Sequence, residues 1–550
     1  MLNLISDAWI PVLRADGTVD EIAPWQITES YLENPIVKLN DIRPDFNGAL
    51  IQFLIGLFQT VLDLEDLDDW EDLFDSPPSV DDLKRMTLDL TPAFHIYNPT
   101  GPSFMQDFED ISDKGASNSI QISLMDYYQS FFNKSDRIKA ICPKCAAKSL
   151  LTLQLNAPEG GQGHRTSMRG AGPLTTIIEG PDLWKTVCTN LLTQEEFNYQ
   201  RLTPVLDAKI FPWLGKTLVS KDDIKTTPEH VHPLHMYWST PRRIRLQFED
   251  CHDYFCDLCG IACSQISKNY FMLKHGFKYD LWLHSLSPYR QDDKNAFYSV
   301  NGKVGRISYP NWMGLVFSKK DKYNQISPAK VVSNYFKYLN TQKYYPVNPV
   351  SIWVFGYHII NNIKPKEWIE SRIPLIKIQS NYTYEFEKFI SHSISASLEV
   401  LGNTKTSIRK ALYGVSKEKK WSFSSQADSY KSENSKLFFL NLSNQFLQDT
   451  EFQFYETLKY LQEILEMDDR EDRESKIVNL KIKWLRTLSK SSLLLFDKTT
   501  ESKLLDTLST RPKEVLQARK ELIMFNNSKQ IKDILDLPIE TKMPKTEVGI

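Results

Sequence analysis

Residues 452–465 read Phe-Gln-Phe-Tyr-Glu-Thr-Leu-Lys-Tyr-Leu-Gln-Glu-Ile-Leu. Phe454, Leu458, Leu461 and Leu465 recur at steps of four and three, which puts them on one face of a helix. The same texture holds across the last third of the chain. Helical spacing with few Gly or Pro covers about 384–413, 427–447, 452–492 and 512–535, with a break expected near Asp468–Asp472. Long helices joined by short polar loops predict an all-α four-helix bundle over 374–550. The polar tail after Pro538 is expected to fray.

Upstream the texture changes. Residues 1–30 alternate like a small hairpin turning at Asp16-Gly17. The apolar run Gly48–Leu62 is interrupted by Gln52 and Gln59. It is too short to span a membrane and predicts a buried helix. From about 90 to 345 there are short β-like runs, many prolines, and aromatics mixed with Lys and Arg, as in YWSTPRRIRLQF at Tyr237–Phe248. This predicts a large, loop-rich α+β domain over 1–373. No period of 20–50 residues repeats, which excludes solenoids and propellers.

The chain has 550 residues, 41% of them hydrophobic, enough for several cores and too many for wholesale disorder. Its 66 basic and 69 acidic side chains give a net charge of −3. The first hundred residues hold 19 acids and 5 bases, leaving 61 bases against 50 acids in the remainder. A near-neutral total therefore hides a cationic body that could meet nucleic acid. The acid run Asp63–Asp82 is expected to be a solvated helix face and loop. The N-terminus lacks a basic signal region, and seven cysteines are no disulfide framework, so a cytoplasmic location is expected.

Four cysteines form two C-x-x-C pairs, Cys142-Pro-Lys-Cys145 and Cys256-Asp-Leu-Cys259-Gly260. Two intervening residues let both thiolates of a pair face one ion, and a glycine after the second permits the tight turn. Two pairs supply the four sulfurs of a closed, structural Zn2+ site. Buried free thiols and a redox pair are the alternatives. Cys188, Cys251 and Cys263 read as core or spare thiols.

The loop NAPEGGQGHRTSMRGAGP, Asn156–Pro173, is rich in glycine and carries His164, Arg165 and Arg169. Backbone that can approach closely, with arginines nearby, favours a phosphate. It matches neither a Rossmann fingerprint nor a Walker loop. His230, His232 and His235 lie between prolines at a spacing that suits no metal face, and a surface loop is expected. Arg242, Arg243 and Arg245, and the set Lys405, Arg409 and Lys410, are solvated surface or phosphate contacts. A zinc-dependent nucleic-acid enzyme is the competing class. No carboxylate cluster of catalytic spacing, Gly-x-Ser-x-Gly or His-Glu-x-x-His supports it.

The chain resembles a known family, the large subunit (CasA) of the type I-E CRISPR surveillance complex Cascade. The resemblance runs end to end: NLISDAWIPV at the start, PSFMQ at Pro102–Gln106, RGAGPLTTIIEGPDL at Arg169–Leu183, the two split cysteine pairs of a zinc ribbon, and LGNTKTSIRKALYG at Leu401–Gly414. It implies a non-catalytic subunit that packs against other Cascade subunits and the crRNA 5′ handle. Such a subunit recognises the PAM in double-stranded DNA from the minor groove, helps open the duplex and docks the Cas helicase-nuclease. Target sequence is then read by guide pairing. The resemblance places a crRNA-contacting loop on Phe131, Phe132 and Asn133. It places a glycine loop on Gly160, Gly161, Gln162 and Gly163, with Glu159 unfavourable beside phosphate. It places a groove-reading lysine on Lys274, with Lys268 and Lys278 as alternatives. It places a turn with an apolar wedge on Asn361, Asn362 and Ile363.

Overall fold

The structure is a computed structural model that describes residues 2–123, 137–197, 205–303, 305, 307–320, 325–341, 351–376, 380–413, 433–506 and 512–538. The chain divides into two compact units. One holds Met1–Val304 and Gly314–Leu375; the other holds Gly305–Met313 and Ile376–Ile550.

In the first unit, β1 (Ile10–Arg14) and β2 (Val19–Ile22) form the expected hairpin, and Gly17 takes the left-handed turn position at φ 88°. β3 (Ile36–Leu39) adds to the other side of β1. The helix Pro44–Val61 is buried along nearly its whole length. Its two interrupting glutamines serve the core. Gln52 donates to the Gly48 carbonyl at 2.7 Å, and Gln59 both donates to and accepts from the Leu192 backbone at 2.8 Å. Edge-to-face rings pack against this helix. Phe53 meets Trp9 at 5.2 Å and Trp238 at 5.9 Å, and Phe94 meets Trp213 at 5.7 Å. The acid run forms two helices, Leu67–Asp75 and Val80–Leu88, capped by Asp66 and Ser79. Trp70, Phe74 and Leu83 are buried and most of the carboxylates face solvent.

Further along, β4 (Ala116–Ser119), β5 (Thr175–Glu179), β6 (Arg243–Leu246), β7 (Glu249–Phe255), β8 (Ala262–Ile266) and β9 (Asn269–Leu273) follow in order. β9 lies between β4 and β6, and β7 pairs with β8 as a two-stranded ribbon. β10 (Tyr289–Gln291), β11 (Phe297–Ser299), β12 (Lys319–Lys320) and β13 (Gln325–Ser327) make a four-stranded sheet. The last two strands, β14 (Ser351–Ile360) and β15 (Lys364–Pro374), form a long hairpin to which β5 adds.

The second unit is helical: Thr383–Tyr413, Glu433–Leu465, Arg470–Asp506, Pro512–Asn526 and a short Lys529–Ile534. Phe454, Leu458, Leu461 and Leu465 are buried, as their spacing predicts. Two boundaries differ from expectation. The second helix runs straight through 448–451, where a loop is expected. The polar residues there sit beside a buried Thr450, which donates to the Phe446 carbonyl at 2.8 Å and meets the Tyr309 hydroxyl at 3.0 Å. The break expected near Asp468–Asp472 is present between Leu465 and Arg470, where Asp469 accepts from the Glu471 and Asp472 amides at 2.9 and 3.1 Å to start the next helix. The segment expected at 512–535 is interrupted at Asn527–Ser528. Tyr309, from the segment that joins this unit out of order, stacks on Phe454 at 4.5 Å.

Candidate functional site

The β14–β15 hairpin turns on Asn361 and Asn362, both left-handed at φ 52° and 62°, and the Ile363 amide donates to the Ile360 carbonyl at 3.0 Å. Two consecutive positive φ values define a tight turn that asparagine tolerates better than most residues. It leaves Ile363 44% exposed at the tip.

The glycine loop comes off the end of the helix Pro143–Asn156. Gly161 and Gly163 take φ of 84° and 85°, and the His164 amide closes the turn on the Gly161 carbonyl at 3.1 Å. Backbone bonds join this loop to two distant segments. The Glu159 amide donates to the Asn362 carbonyl, and the His275 amide donates to the Gly163 carbonyl, both at 2.6 Å. A Cβ on Gly163 would lie 3.0 Å from both the Lys274 Cβ and the His275 ring. Gly160, Gly161, Gln162, Gly163, Lys274, Asn361, Asn362 and Ile363 therefore gather on one surface. Of the three candidate lysines, Lys268 pairs with Glu249 and Lys278 with Asp223. Lys274 is exposed and makes no ion pair among the described residues.

The surroundings are cationic. Burial first, then Arg242, Lys274 and His275, hold the His164 ring neutral, with its pKa down to about 4. Arg242 belongs to the arginine run singled out in the sequence, whereas His275 carries no motif of its own. The one available sign is that His275 follows Lys274.

Several basic residues that the sequence offers for phosphate turn inward instead. Arg169 is buried and donates to Thr175, Ser287 and Gln52 at 2.9, 3.0 and 2.7 Å. Arg165 is spent on Ser220, Arg242 donates to the Pro158 carbonyl, and Arg243 pairs with Asp107. Arg245 donates to the Asn98 carbonyl at 3.2 Å. The histidine segment is a surface loop only at His230, which is exposed. His232 is buried and caps a 3-10 turn, Pro233–Trp238, in which His235 is buried too. The His235 Nδ1–H donates to the Lys209 carbonyl at 3.1 Å, and Nε2 accepts from the Tyr279 hydroxyl at 3.0 Å.

The four cysteines meet. Their sulfurs lie within 4.8 Å of one another, three buried and Cys259 half-buried. Cys142 Sγ and Cys259 Sγ are 3.9 Å apart, near the ~3.8 Å edge that four Zn–S bonds of ~2.3 Å would give. Gly260 turns the second pair at φ 71°, and its amide donates to the Cys256 carbonyl at 2.8 Å. The Cys142 amide donates to Cys256 Sγ at 3.3 Å. Asp257 accepts from the Lys139 and Ala140 amides at 2.7 and 2.8 Å, binding one half-site to the other. Hydrogen bonds from Cys142, Cys145 and Cys259 push the Cys256 thiol far down, while Cys142 and burial push Cys145 up. Four thiols so placed cannot all ionise without a cation. The donor set therefore fits a structural zinc. Cys188 is buried elsewhere, and Cys251 and Cys263 bond along the β7–β8 ribbon.

In the helical unit, Lys410 pairs with Glu521 and Arg409 lies over the Phe439 ring at 5.0 Å. Lys405 has its pKa lowered by burial and by Arg409. Phe131, Phe132 and Asn133 lie outside the described residues.

A family model described as CRISPR-associated protein Cse1 matches residues 3–493. Solved structures are similar over nearly the whole chain. CasA (Cse1) from Thermus thermophilus is 15% identical with a TM-score of 0.68, covering 96% of this chain and 99% of that one. Cse1 from Acidimicrobium ferrooxidans is 13% identical with a TM-score of 0.69, covering 97% and 98%. A chain from a structure titled "CRISPR RNA-guided surveillance complex" is 11% identical with a TM-score of 0.63, covering 95% and 99%. At these identities the likeness speaks to the fold.

Proposed function

Since the chain belongs to the CRISPR-associated Cse1 (CasA) family, we propose that it is the non-catalytic large subunit that reads the PAM in an RNA-guided Cascade complex. It packs against the other Cascade subunits and the crRNA 5′ handle, the latter through Phe131, Phe132 and Asn133. Lys274 enters the minor groove, where base edges give an incomplete code and several PAM sequences are tolerated. The backbone of Gly160–Gly163 approaches the duplex. The Asn361–Asn362 turn presents Ile363 as an apolar wedge that unstacks a base step. Guide pairing then opens the R-loop and the Cas helicase-nuclease docks. In this scheme residues 1–373 form the reading domain, its split zinc ribbon held by Cys142, Cys145, Cys256 and Cys259. Residues 374–550 form a four-helix bundle that carries Lys405, Arg409 and Lys410.

The observation that carries the proposal is the meeting of three distant segments, 158–163, 274–275 and 361–363, through the Glu159–Asn362 and His275–Gly163 backbone bonds. Gel-shift binding of the assembled complex to duplexes with and without a PAM tests it. Lys274→Ala should erase PAM discrimination. Asn361→Gly and Asn362→Gly keep the left-handed turn while removing the side chains, so they separate contact from architecture. Intact discrimination in all three variants would overturn the site.

A further inference from the structure

We propose that the cavity beside the Asn361–Ile363 turn is a nucleobase pocket, which takes one unpaired base from the opened duplex and stacks it on Phe297. This rests on the duplex-opening role proposed above and names where a displaced base goes. The cavity has a volume of about 560 Å³, and Asn362 is part of its wall. The residue after Asn362 is the exposed Ile363. A wedge that parts a base pair leaves a base without its stacking partner, and a nearby aromatic face is the cheapest replacement.

The β10–β11 pairing sets which ring is offered. Tyr289 lies opposite Ser299, and Gln291 opposite Phe297. Alternate residues share a face, so Tyr289, Ser299 and Phe297 lie on one side of the sheet and Tyr298 on the other. Ser299 donates to the Arg169 carbonyl, which ties the Phe297 side to the cavity wall. Tyr298 also contributes to the cavity wall, but its ring is already covered by the Arg290 guanidinium at 5.7 Å. Phe297 is 48% exposed.

The rim is apolar at some cost. Leu281 is held in the left-handed region at φ 62°, a conformation that bulky side chains avoid, and stands 77% exposed. Such strain persists where the surroundings impose it, and it clusters at binding sites. The anchor here is the next residue, Trp282, whose indole donates to the Thr226 carbonyl at 2.9 Å.

The polar groups suit a base rather than a phosphate. Asn295, Asn301 and Asn362 line the cavity, and each amide both donates and accepts, as a base edge requires. The lining carboxylate, Asp280, is paired with Lys225 at 2.8 Å. The lining arginine, Arg169, is turned into the core.

The test is a double cycle in the assembled complex with a PAM duplex. Phe297→Ala should weaken binding of the intact duplex about tenfold, within the range of one base–aromatic stack. An abasic nucleotide at the captured position should cost the wild type a similar factor, and the two losses together should not multiply. A 2-aminopurine at that position should be quenched in the wild type and brighten in Phe297→Ala. Multiplying losses, or unchanged affinity in the variant, would overturn the pocket. Equal weakening on intact and abasic duplexes would too, since it would mean that a protein group fills the cavity. Should the wild-type complex not distinguish PAM from non-PAM duplexes, the proposed function fails on its own. The pocket is then judged on the full chain with a short single-stranded oligonucleotide carrying 2-aminopurine. Phe297-dependent quenching supports it, and its absence overturns it.

Discussion

The two units reach stability by different routes. The helical unit buries apolar residues that recur every three or four positions, so each helix carries its own share of the core. The first unit adds to its aromatic core a set of single buried polar contacts, several of them between distant segments. Asp45 accepts from Arg43 at 2.6 and 3.0 Å and from the Tyr357 hydroxyl at 2.6 Å, all within the core. Gln154 joins the Met105 and Arg242 carbonyls at 2.9 Å each, and Arg169 gathers Gln52, Thr175 and Ser287. Local periodicity makes damage in one unit graded. Dependence on single buried polar groups makes damage in the other abrupt.

That contrast can be broken at several points. The largest effect should come from the metal centre. A four-thiolate zinc contributes ~10 kcal/mol or more of apparent binding free energy. Cys256→Ser or chelation should lower the first unit's melting transition by tens of degrees and leave that of the helical unit in place. Metal analysis should find one zinc per chain. A single shared transition that falls with chelation would erase the distinction between the units.

Next is Asp45→Ala, which strands a buried guanidinium and should cost ~3–5 kcal/mol. Leu458→Ala, its counterpart in the helical unit, should cost ~2–5 kcal/mol by leaving a cavity. Denaturant midpoints with unchanged slopes would give both values.

Acid should separate the units as well. Burial lowers the His235 pKa from 6.5 to about 4. Between these values the unfolded chain binds the extra proton, so stability is full above pH 6.5 and falls as the pH drops toward 4. This one ring accounts for up to ~3 kcal/mol. His235→Phe should remove about one proton from the pH slope of the first unit. It should also cost ~1–3 kcal/mol at neutral pH through the stranded Tyr279 hydroxyl and Lys209 carbonyl. An unchanged slope would show that the ring titrates normally.

The smallest effect belongs to Lys410→Ala. It removes a partly exposed pair with Glu521 and should cost ~0–1 kcal/mol. A larger loss would show that the helical unit also depends on single polar contacts.

The same contrast explains what can be read from the sequence. The Phe454–Leu465 stripe and the buried helix after Pro44 are visible because a helix repeats its environment every turn. The cysteine quartet is visible because metal geometry fixes its spacing. The loop expected at 448–451 is absent because a polar run looks alike whether it ends a helix or lies on its wet face. The arginines look available for phosphate because composition does not reveal that Arg169 will meet Gln52, more than a hundred residues away. Asn361-Asn362 stands out only through resemblance. Their left-handed turn gives a physical reason for asparagine there, whatever else they touch.

The split of the metal site also bears on the order in which the chain is made. Cys142 and Cys256 are 114 positions apart. At roughly 5–20 residues per second, the first pair leaves the ribosome roughly 6 to 23 s before the second. During that interval the glycine loop and β5 emerge, while the loop's backbone partners, His275 and Asn362, follow only after the second pair. If a zinc ion joins the two pairs, its supply during synthesis, and not only in the finished protein, should set the yield of folded first units.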